Sequence, residues 1–519
     1  MKRLFFLLCL LLLLSACSAA LADPAVSFSP EQPRVGDYVD VTVTPSRADP
    51  EEIIYELLLD GEKSITYKPE NKAEETKHHL TASFRPRLEG VYTLRVSCVY
   101  GKEDTETAEV LISVSGAAPE QEGPEVLYSQ KDGWWYRKWY NRSAGRDLQK
   151  AACAVFTMSH ALQRMGVTDG SAAPETLAKA YSGYYVEGRG TYNKGLVLKA
   201  AEDFDFLSLN DKDTFSVREL GDLLRRGDMF SFHIVNGHVA LLDGVSEDGT
   251  KVHVVDSAPG ATFDPARNGG SVYYTDESGA FVQAESPADL PGIRWFFETK
   301  EYGGASYWMD ASYAVTRRMY LIRKQWLKAE KDGALAGVSV EYAGAAVTKV
   351  TRGKDSWRVP TAQLVLGGSD PRPPKAALVT AKKGTYLKDG NGKRIAGSPV
   401  IKRNRMVLIL SQGEDSCYAF WEGDFGYVDM QDVTLLDPIP NPRTAVITPG
   451  VTATVHLNPQ KNSTGLAQWG GGTPVALLEK QDVWYLVEGK GLRGWVHEKY
   501  IQPDQEPAET PAPGSAEAE

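Results

Sequence analysis

From Asp23 to about Gly116, apolar and polar residues alternate in short runs. Val39, Val41 and Val43 share one phase, and Tyr92, Leu94, Val96 and Cys98 share another, with Pro, Gly and charged residues between the runs. A period of two broken by turn residues predicts an all-β sandwich, and it puts Cys98 in the core as an inward-facing residue. The pattern changes after a Pro/Glu/Gly stretch at Ala117 to Pro124. Apolar residues at helical spacing from Ala151 to Gly166 predict an amphipathic helix closed by the glycine, with Cys153 in its first turn. A second helix is predicted over Leu196 to Asp203. Three strands follow, Phe230 to Ile234, His238 to Val245 and Lys251 to Asp256, joined by turns at Asn236-Gly237 and Ser246 to Gly249. With the second turn centred between Glu247 and Asp248, His238 and Asp256 face each other, their β-carbons roughly 5 Å apart.

Two further breaks, Gly367 to Pro374 and Asp437 to Pro442, divide the C-terminal region. The pieces on either side of the second, 376–437 and 443–503, match without gaps at an offset of 68 residues. Leu387 aligns with Val455, Val407 with Val475, Ile409 with Leu477, Gly426-Tyr427-Val428 with Gly494-Trp495-Val496, and Val433 with Ile501. Matches at core-type positions over that length predict tandem small all-β domains rather than a solenoid. Residues 125–366 are then one unit, in which Thr262 to Leu366 supply extra strands. The Pro/Ala/Glu-rich tail, 504–519, is predicted to be disordered.

Composition narrows the function. The 519 residues carry a formal charge of −11, with 42% hydrophobic and 24% charged side chains. This is ordinary globular material, and without a basic run it excludes nucleic acid as a partner. Met1-Lys2-Arg3 ahead of an apolar run from Leu4 to Leu14 reads as a signal peptide over 1–22, too short to span a bilayer. Leu14-Ser15-Ala16-Cys17 resembles a lipobox that would lipidate Cys17, and Ala20-Leu21-Ala22 resembles an ordinary cleavage site. The protein is therefore expected outside the cell, either as a lipoprotein that meets the membrane only through that anchor or as a secreted chain. Three cysteines then remain, Cys98, Cys153 and Cys417, one in each of three predicted domains. Their separation argues against a disulfide framework and fits no zinc spacing. No metal site and no cofactor are expected.

Cys153 is the thiol with chemical promise. At a helix start, unpaired N–H groups and the helix dipole favour a thiolate. An imidazole at His238, oriented by the Asp256 carboxylate, can take the thiol proton so that sulfur attacks a carbonyl carbon and forms an acyl-enzyme that water hydrolyses. His160, His233 and His253 read as structural. Cys417 reads as packing.

Resemblances sharpen these expectations. Leu88-Glu-Gly90-Val-Tyr92 opening a strand looks like the corner of immunoglobulin-like domains, so 23–116 is expected to be an immunoglobulin-like sandwich. Gly-aromatic-Val followed five residues later by Val or Ile resembles the closing strand of bacterial SH3-like barrels. That likeness implies binding of cell-wall peptidoglycan or peptides, with Trp484, Tyr485 and Trp495 as the aromatic groove of the second copy. The order Cys153, Gly237-His238, Asp256, with Gly190-Thr191 before the second helix, is similar to the double-glycine-leader, bacteriocin-processing peptidases and their extracellular relatives. This implies an α+β papain-like cysteine peptidase domain and an oxyanion-hole Gln, for which Gln149, four residues before the cysteine, is the candidate. Ala154-Val155 stand where those peptidases carry Gly-Pro. The stretch from Cys153 to Arg164 with His238-Val-Ala also resembles transglutaminase-like proteins. Three functions follow: a wall-directed peptidase or amide hydrolase, an inactive papain-fold adaptor that binds the wall, or an acyl transferase.

Overall fold

The computed structural model describes residues 23–63, 79–117, 127–204, 206, 208, 215–235, 237–263, 270–323, 327–331, 334–337, 339–342, 344–352, 354–361, 365–366, 374–422, 424–437 and 443–503. The expected signal peptide with Cys17, His78, Asn236, the tail 504–519 and most of the three proline-rich breaks lie outside them. The chain divides into two compact units, one of residues 1–204, 208–214 and 229–322, the other of 205–207, 215–228 and 323–519.

The first unit opens with the expected sandwich. One sheet carries Arg34–Val35, Asp104–Ala117, Gly90–Gly101, Glu52–Leu59 and Glu62–Lys63 in that order. The other begins Ala25–Ser29, Val39–Thr44, Thr81–Phe84. The in-phase residues meet inside: Val39, Val41, Val43, Tyr92, Leu94, Val96 and Cys98 are all buried in one core. The Tyr92 hydroxyl donates to the Leu88 carbonyl at 2.9 Å, which ties the corner shut. The sandwich is not confined to 23–116. Trp295–Phe296 adds to its second sheet in parallel beside Thr81–Phe84, Phe296 opposite Ser83, and Glu301–Tyr302 pairs with that added strand. Phe296 is fully buried and Phe297 packs on the sandwich core. Each such side chain contributes about 2 kcal/mol by leaving water. Arg294 pairs with Asp40 at 2.8 Å and Trp295 stacks on His79. Sandwich and chemistry-bearing region thus share strands, which alternation within either segment does not reveal.

The rest of the unit is a seven-stranded antiparallel sheet in the order Phe281–Ala284, Val272–Thr275, Ala305–Asp310, Lys251–Asp256, His238–Val245, Met229–Val235, Met319–Ile322. Helix Cys153–Arg164 lies against its centre, with the Thr157 hydroxyl donating to the Val239 carbonyl at 3.1 Å. Ala154 through Gln163 are all buried. The helix is therefore a central core element, buried beyond the apolar stripe that its spacing marks. Helix Asn193–Asp203 begins three residues before the expected start.

In the second unit, Lys375–Val379, Met406–Gln412, Ser416–Trp421, Asp424–Asp429 and Val433–Leu435 form one small barrel-like sheet, and Arg443–Ile447 through Ile501–Pro503 form another with an added hairpin, Thr452–His456 and Gly465–Gly470. The repeat alignment holds in three dimensions: Leu387 and Val455, Val407 and Val475, Val428 and Val496, and Val433 and Ile501 are all core residues of their own copies. Two expectations change. Residues 327–366 do not extend the seven-stranded sheet. Leu327–Lys331 pairs with Ala334–Gly337 and Val365–Leu366, while Val347–Arg352 pairs with Ser339–Tyr342 and Asp355–Pro360. These are two three-stranded antiparallel sheets, separate from the seven-stranded one. Helix Val217–Arg225, within the expected 125–366 domain, packs instead on the first barrel. Asp222 accepts from the Tyr427 hydroxyl at 2.6 Å, and the Arg226 guanidinium lies 3.8 Å from the Tyr418 ring centroid.

Candidate functional site

The chain leading to Cys153 is a helix that stops and restarts. Asp147 caps the short helix Leu148–Ala151 by accepting from the Lys150 N–H at 3.1 Å, and Ala152, at φ −108° and ψ 20°, breaks it. Cys153 is then the first residue of the next helix, where backbone N–H groups lack intrahelical partners. Gly166, at φ +90°, follows its C-terminal end in the left-handed region, where glycine carries no Cβ penalty. Cys153 is half-buried, whereas Cys98 and Cys417 are fully buried in apolar cores.

His238 begins its strand and Asp256 ends the neighbouring one, and Nε2 of the first lies 2.7 Å from Oδ1 of the second. They are not directly opposite. Leu241 pairs with Val255 and Leu242 with Val254, so Asp256 continues opposite Ala240, and His238 lies two residues further along on the same face. Val245 pairs with Val252, so the turn centres one residue later than expected, between Asp248 and Gly249, and a bulge between Leu242 and Gly244 then moves the pairing back by one. Diagonal neighbours on one face remain within reach of an imidazole. The Asp256 carboxylate is fully buried and fully used: Oδ1 also accepts from the Ala258 N–H at 2.8 Å, and Oδ2 accepts from the hydroxyls of Thr262 at 2.9 Å and Tyr307 at 2.8 Å. Thr262 and Tyr307 escape sequence reading because they lie 6 and 51 residues beyond Asp256 and meet it only through the fold.

The electrostatics follow from this geometry. Burial disfavours a charged Cys153, but the hydrogen bond and charge of His238, with the N–H groups of Val239 and Ala154 directed at the sulfur, outweigh it and hold the thiol below its ordinary value. Burial likewise disfavours an imidazolium at His238, yet Asp256 and Cys153 overcome it and push His238 up to about 10. Asp256, in spite of burial, is held below the usual carboxylate range by His238 and its hydrogen-bond donors. The imidazole that meets Asp256 through Nε2 is hydrogen-bonded to the thiol as well. The arrangement supports a thiolate beside an imidazolium at neutral pH. Cys417 shows the contrast: burial alone pushes it up to about 11.

The remaining sequence candidates fall as follows. Gln149 lies one turn before Cys153, buried, with its side-chain Nε2 donating to the Asp132 carbonyl at 2.9 Å. His160 is fully buried, accepts from the Tyr128 N–H, and is pushed down to about 3 by burial. His233 shares a hydrogen bond with Asn193, and burial pushes it down to about 4. His253 pairs with Asp243. Among the described residues, no cluster of His, Cys, Asp or Glu could hold a metal ion. In the last barrel, Tyr485 packs on the core, while Trp484 and Trp495 share the face turned from it, where Trp484 is itself buried, edge-on to His456 and His497. At the aligned positions of the first barrel, Ser416 accepts from Arg218 at 2.8 Å and Tyr427 donates to Asp222, so helix Val217–Arg225 occupies the equivalent face. Sequence reasoning also missed Gln130. Its N–H donates to the Ser257 carbonyl at 2.8 Å, and its side chain donates to the carbonyls of Leu148 and Gln149 at 3.1 and 3.0 Å.

Comparison with known proteins agrees with part of this. Residues 451–502 match the family described as Bacterial SH3 domain. No curated protein matches the chain. Two solved structures from Trichomonas vaginalis show partial likeness. NlpC2 is 14% identical over 25% of this chain and 48% of its own, with a TM-score of 0.11. NlpC1 is 14% identical over 26% and 47%, with a TM-score of 0.12. The chain spans about half the length of these two structures. Likeness of that extent leaves the reading of the site to its own geometry. Among the described residues, no helix is long and apolar enough to cross a membrane.

Proposed function

We propose that this chain is an exported cell-envelope cysteine peptidase or amide hydrolase, in which a papain-like domain carries a Cys153–His238–Asp256 triad and an immunoglobulin-like sandwich packs beside it. The observation that carries the reading is the buried 2.7 Å contact of His238 with Asp256, with the same imidazole hydrogen-bonded to a half-buried thiol at a helix start. Sulfur attacks the carbonyl carbon of an amide, and the electron pair moves to oxygen. Gln149 contributes to stabilising that oxyanion from one turn upstream. On collapse of the intermediate His238 gives its proton to the leaving amine, and it then takes one from the water that cleaves the acyl-enzyme. Asp256 stays ionised and holds the ring.

The match of 451–502 to bacterial SH3 domains supports the last barrel as the module that brings the site to wall or peptide targets, with Trp484 and Trp495 on the face turned from its core. Tethering of this kind raises local substrate concentration without touching the chemistry. An acylating peptide-like probe is expected to modify Cys153 of the full-length protein, with turnover into water exceeding incorporation of an added amine. Absence of any acyl adduct would leave an adaptor of papain-like fold, and dominant amine incorporation would make the chain a transferase.

A further inference from the structure

The residues that fix Gln149 come from outside the catalytic sheet. Its side-chain amide donates to the Asp132 carbonyl, and Asp132 is itself completely buried. The Asp132 carboxylate accepts at Oδ2 from the Tyr38 hydroxyl at 3.2 Å and from Arg85 Nη1 at 3.3 Å, and at Oδ1 from the Trp134 N–H at 3.0 Å. Tyr38 and Arg85 belong to the N-terminal sandwich. Arg85 is anchored in turn by donating Nε to the Gly36 carbonyl at 2.6 Å and by lying over the rings of Tyr38 and Trp134. On the other side, Gln130 holds the carbonyls of Leu148 and Gln149 while bonding Ser257, the neighbour of Asp256. The helix that carries Gln149 is thus held between a clamp from the sandwich and the end of the Asp256 strand.

Resting on the hydrolase reading of Cys153, we infer that Tyr38 and Arg85 are positioning residues for the thiol site: they clamp Asp132, and Asp132 sets the amide of Gln149. The charge balance supports a firm clamp. Burial pushes Asp132 up to about 6, with Arg85 opposing the rise, and Glu298 nearby is pushed up to about 8 by burial and by Asp132. At neutral pH Glu298 is therefore mostly uncharged, and Arg85 faces one carboxylate. Gly133 is the residue that lets this loop approach, since a Cβ there would meet the Glu298 carboxylate at 2.3 Å. The sandwich is then part of the support of the site and not a spacer.

Two reagents separate this role from simple stability. Alkylation of Cys153 by iodoacetamide needs only the thiolate, whereas acylation by a p-nitrophenyl ester of an N-acyl amino acid needs its carbonyl oxygen stabilised. In full-length Arg85→Met, acylation is expected to slow about tenfold while alkylation stays within about twofold of wild type, and Arg85→Lys should recover part of the loss. Tyr38→Phe removes one hydroxyl and should slow acylation about threefold, and it decides the matter if Arg85→Met does not fold. Unchanged acylation, or alkylation falling in step with it, overturns the inference. A wild-type protein that is alkylated but never acylated ends the hydrolase reading itself, whereas an acylated wild type with unaltered variants ends only the positioning role.

Discussion

The same two strands carry two histidine–carboxylate pairs. His238 on one meets Asp256 on the other at 2.7 Å, and Asp243 on the first meets His253 on the second. By residue type and strand they are mirror images, yet their surroundings differ. Asp256 is fully buried, with four hydrogen-bond donors and no cation other than His238 bonded to it. Asp243 divides itself between His253 and Arg164, and the His253 ring is half-buried against Trp308, with centroids 5.0 Å apart. Only the first pair has a thiol beside it. The comparison teaches that a His–Asp contact is inexpensive to form on adjacent strands. What sets the first pair apart as the candidate general acid–base is burial, a carboxylate whose other lone pairs are satisfied, and a thiol beside the ring.

The comparison breaks most sharply at the histidines. His238→Ala is expected to lower acylation of Cys153 at neutral pH by about a thousandfold or more, because thiolate and proton donor are lost together. His253→Ala should leave it within about twofold. Equal losses in the two variants, measured as ester acylation rates, would mean that the pairs are functionally alike. A smaller separation is expected at the carboxylates. Asp256→Asn keeps the size but removes the charge that holds His238 up, and it brings an N–H₂ group towards donors from Ala258, Thr262 and Tyr307. Acylation should fall about a hundredfold. Asp243→Asn retains an acceptor for Arg164 and should cost no more than about threefold, with the same assay as the check.

How much of this contrast is legible in the chain depends on distance along it. Alternation shows that His238 and Asp256 fall on adjacent strands joined by a turn, and the polar turn residues mark its place. It cannot show the bulge beside Asp243, which shifts the pairing so that the two residues meet diagonally. Nor does local pattern distinguish a buried helix from an amphipathic one when alanines and serines fill its outer face, as in Cys153–Arg164. Long-range partners are harder still. Trp295–Phe296 joins a sheet whose N-terminal strands end at Phe84, more than two hundred residues earlier, and no periodicity links them. The repeat at an offset of 68 residues was readable because it needs only equal spacing of core positions, and both copies kept it.

The last contrast is one of pH, and in wild type a shallow dependence is expected. A thiol at its ordinary value gains thiolate about tenfold per pH unit below about 8.5. Cys153 is held below its ordinary value by His238, which is itself raised to about 10, so iodoacetamide alkylation of wild type should climb less steeply between pH 7 and 9 than that of an ordinary thiol. In His238→Ala the same interval should show a steep rise, since burial alone then acts on the thiol. The sign for the acid–base pair is fixed by linkage. A histidine raised from its ordinary value of about 6.5 contributes stability that is complete below that value and is lost as pH climbs through about 10. Asp256, depressed, contributes above the ordinary carboxylate range and loses it as pH falls through its lower value. Turnover should therefore decline on the alkaline side near pH 10, when no proton remains for the leaving amine, while alkylation does not decline with it. The Asp243–His253 pair, without a thiol to report, should leave that profile unmoved when His253 is replaced, and a shift of the wild-type plateau in His253→Ala would show that the two pairs communicate across the strands they share.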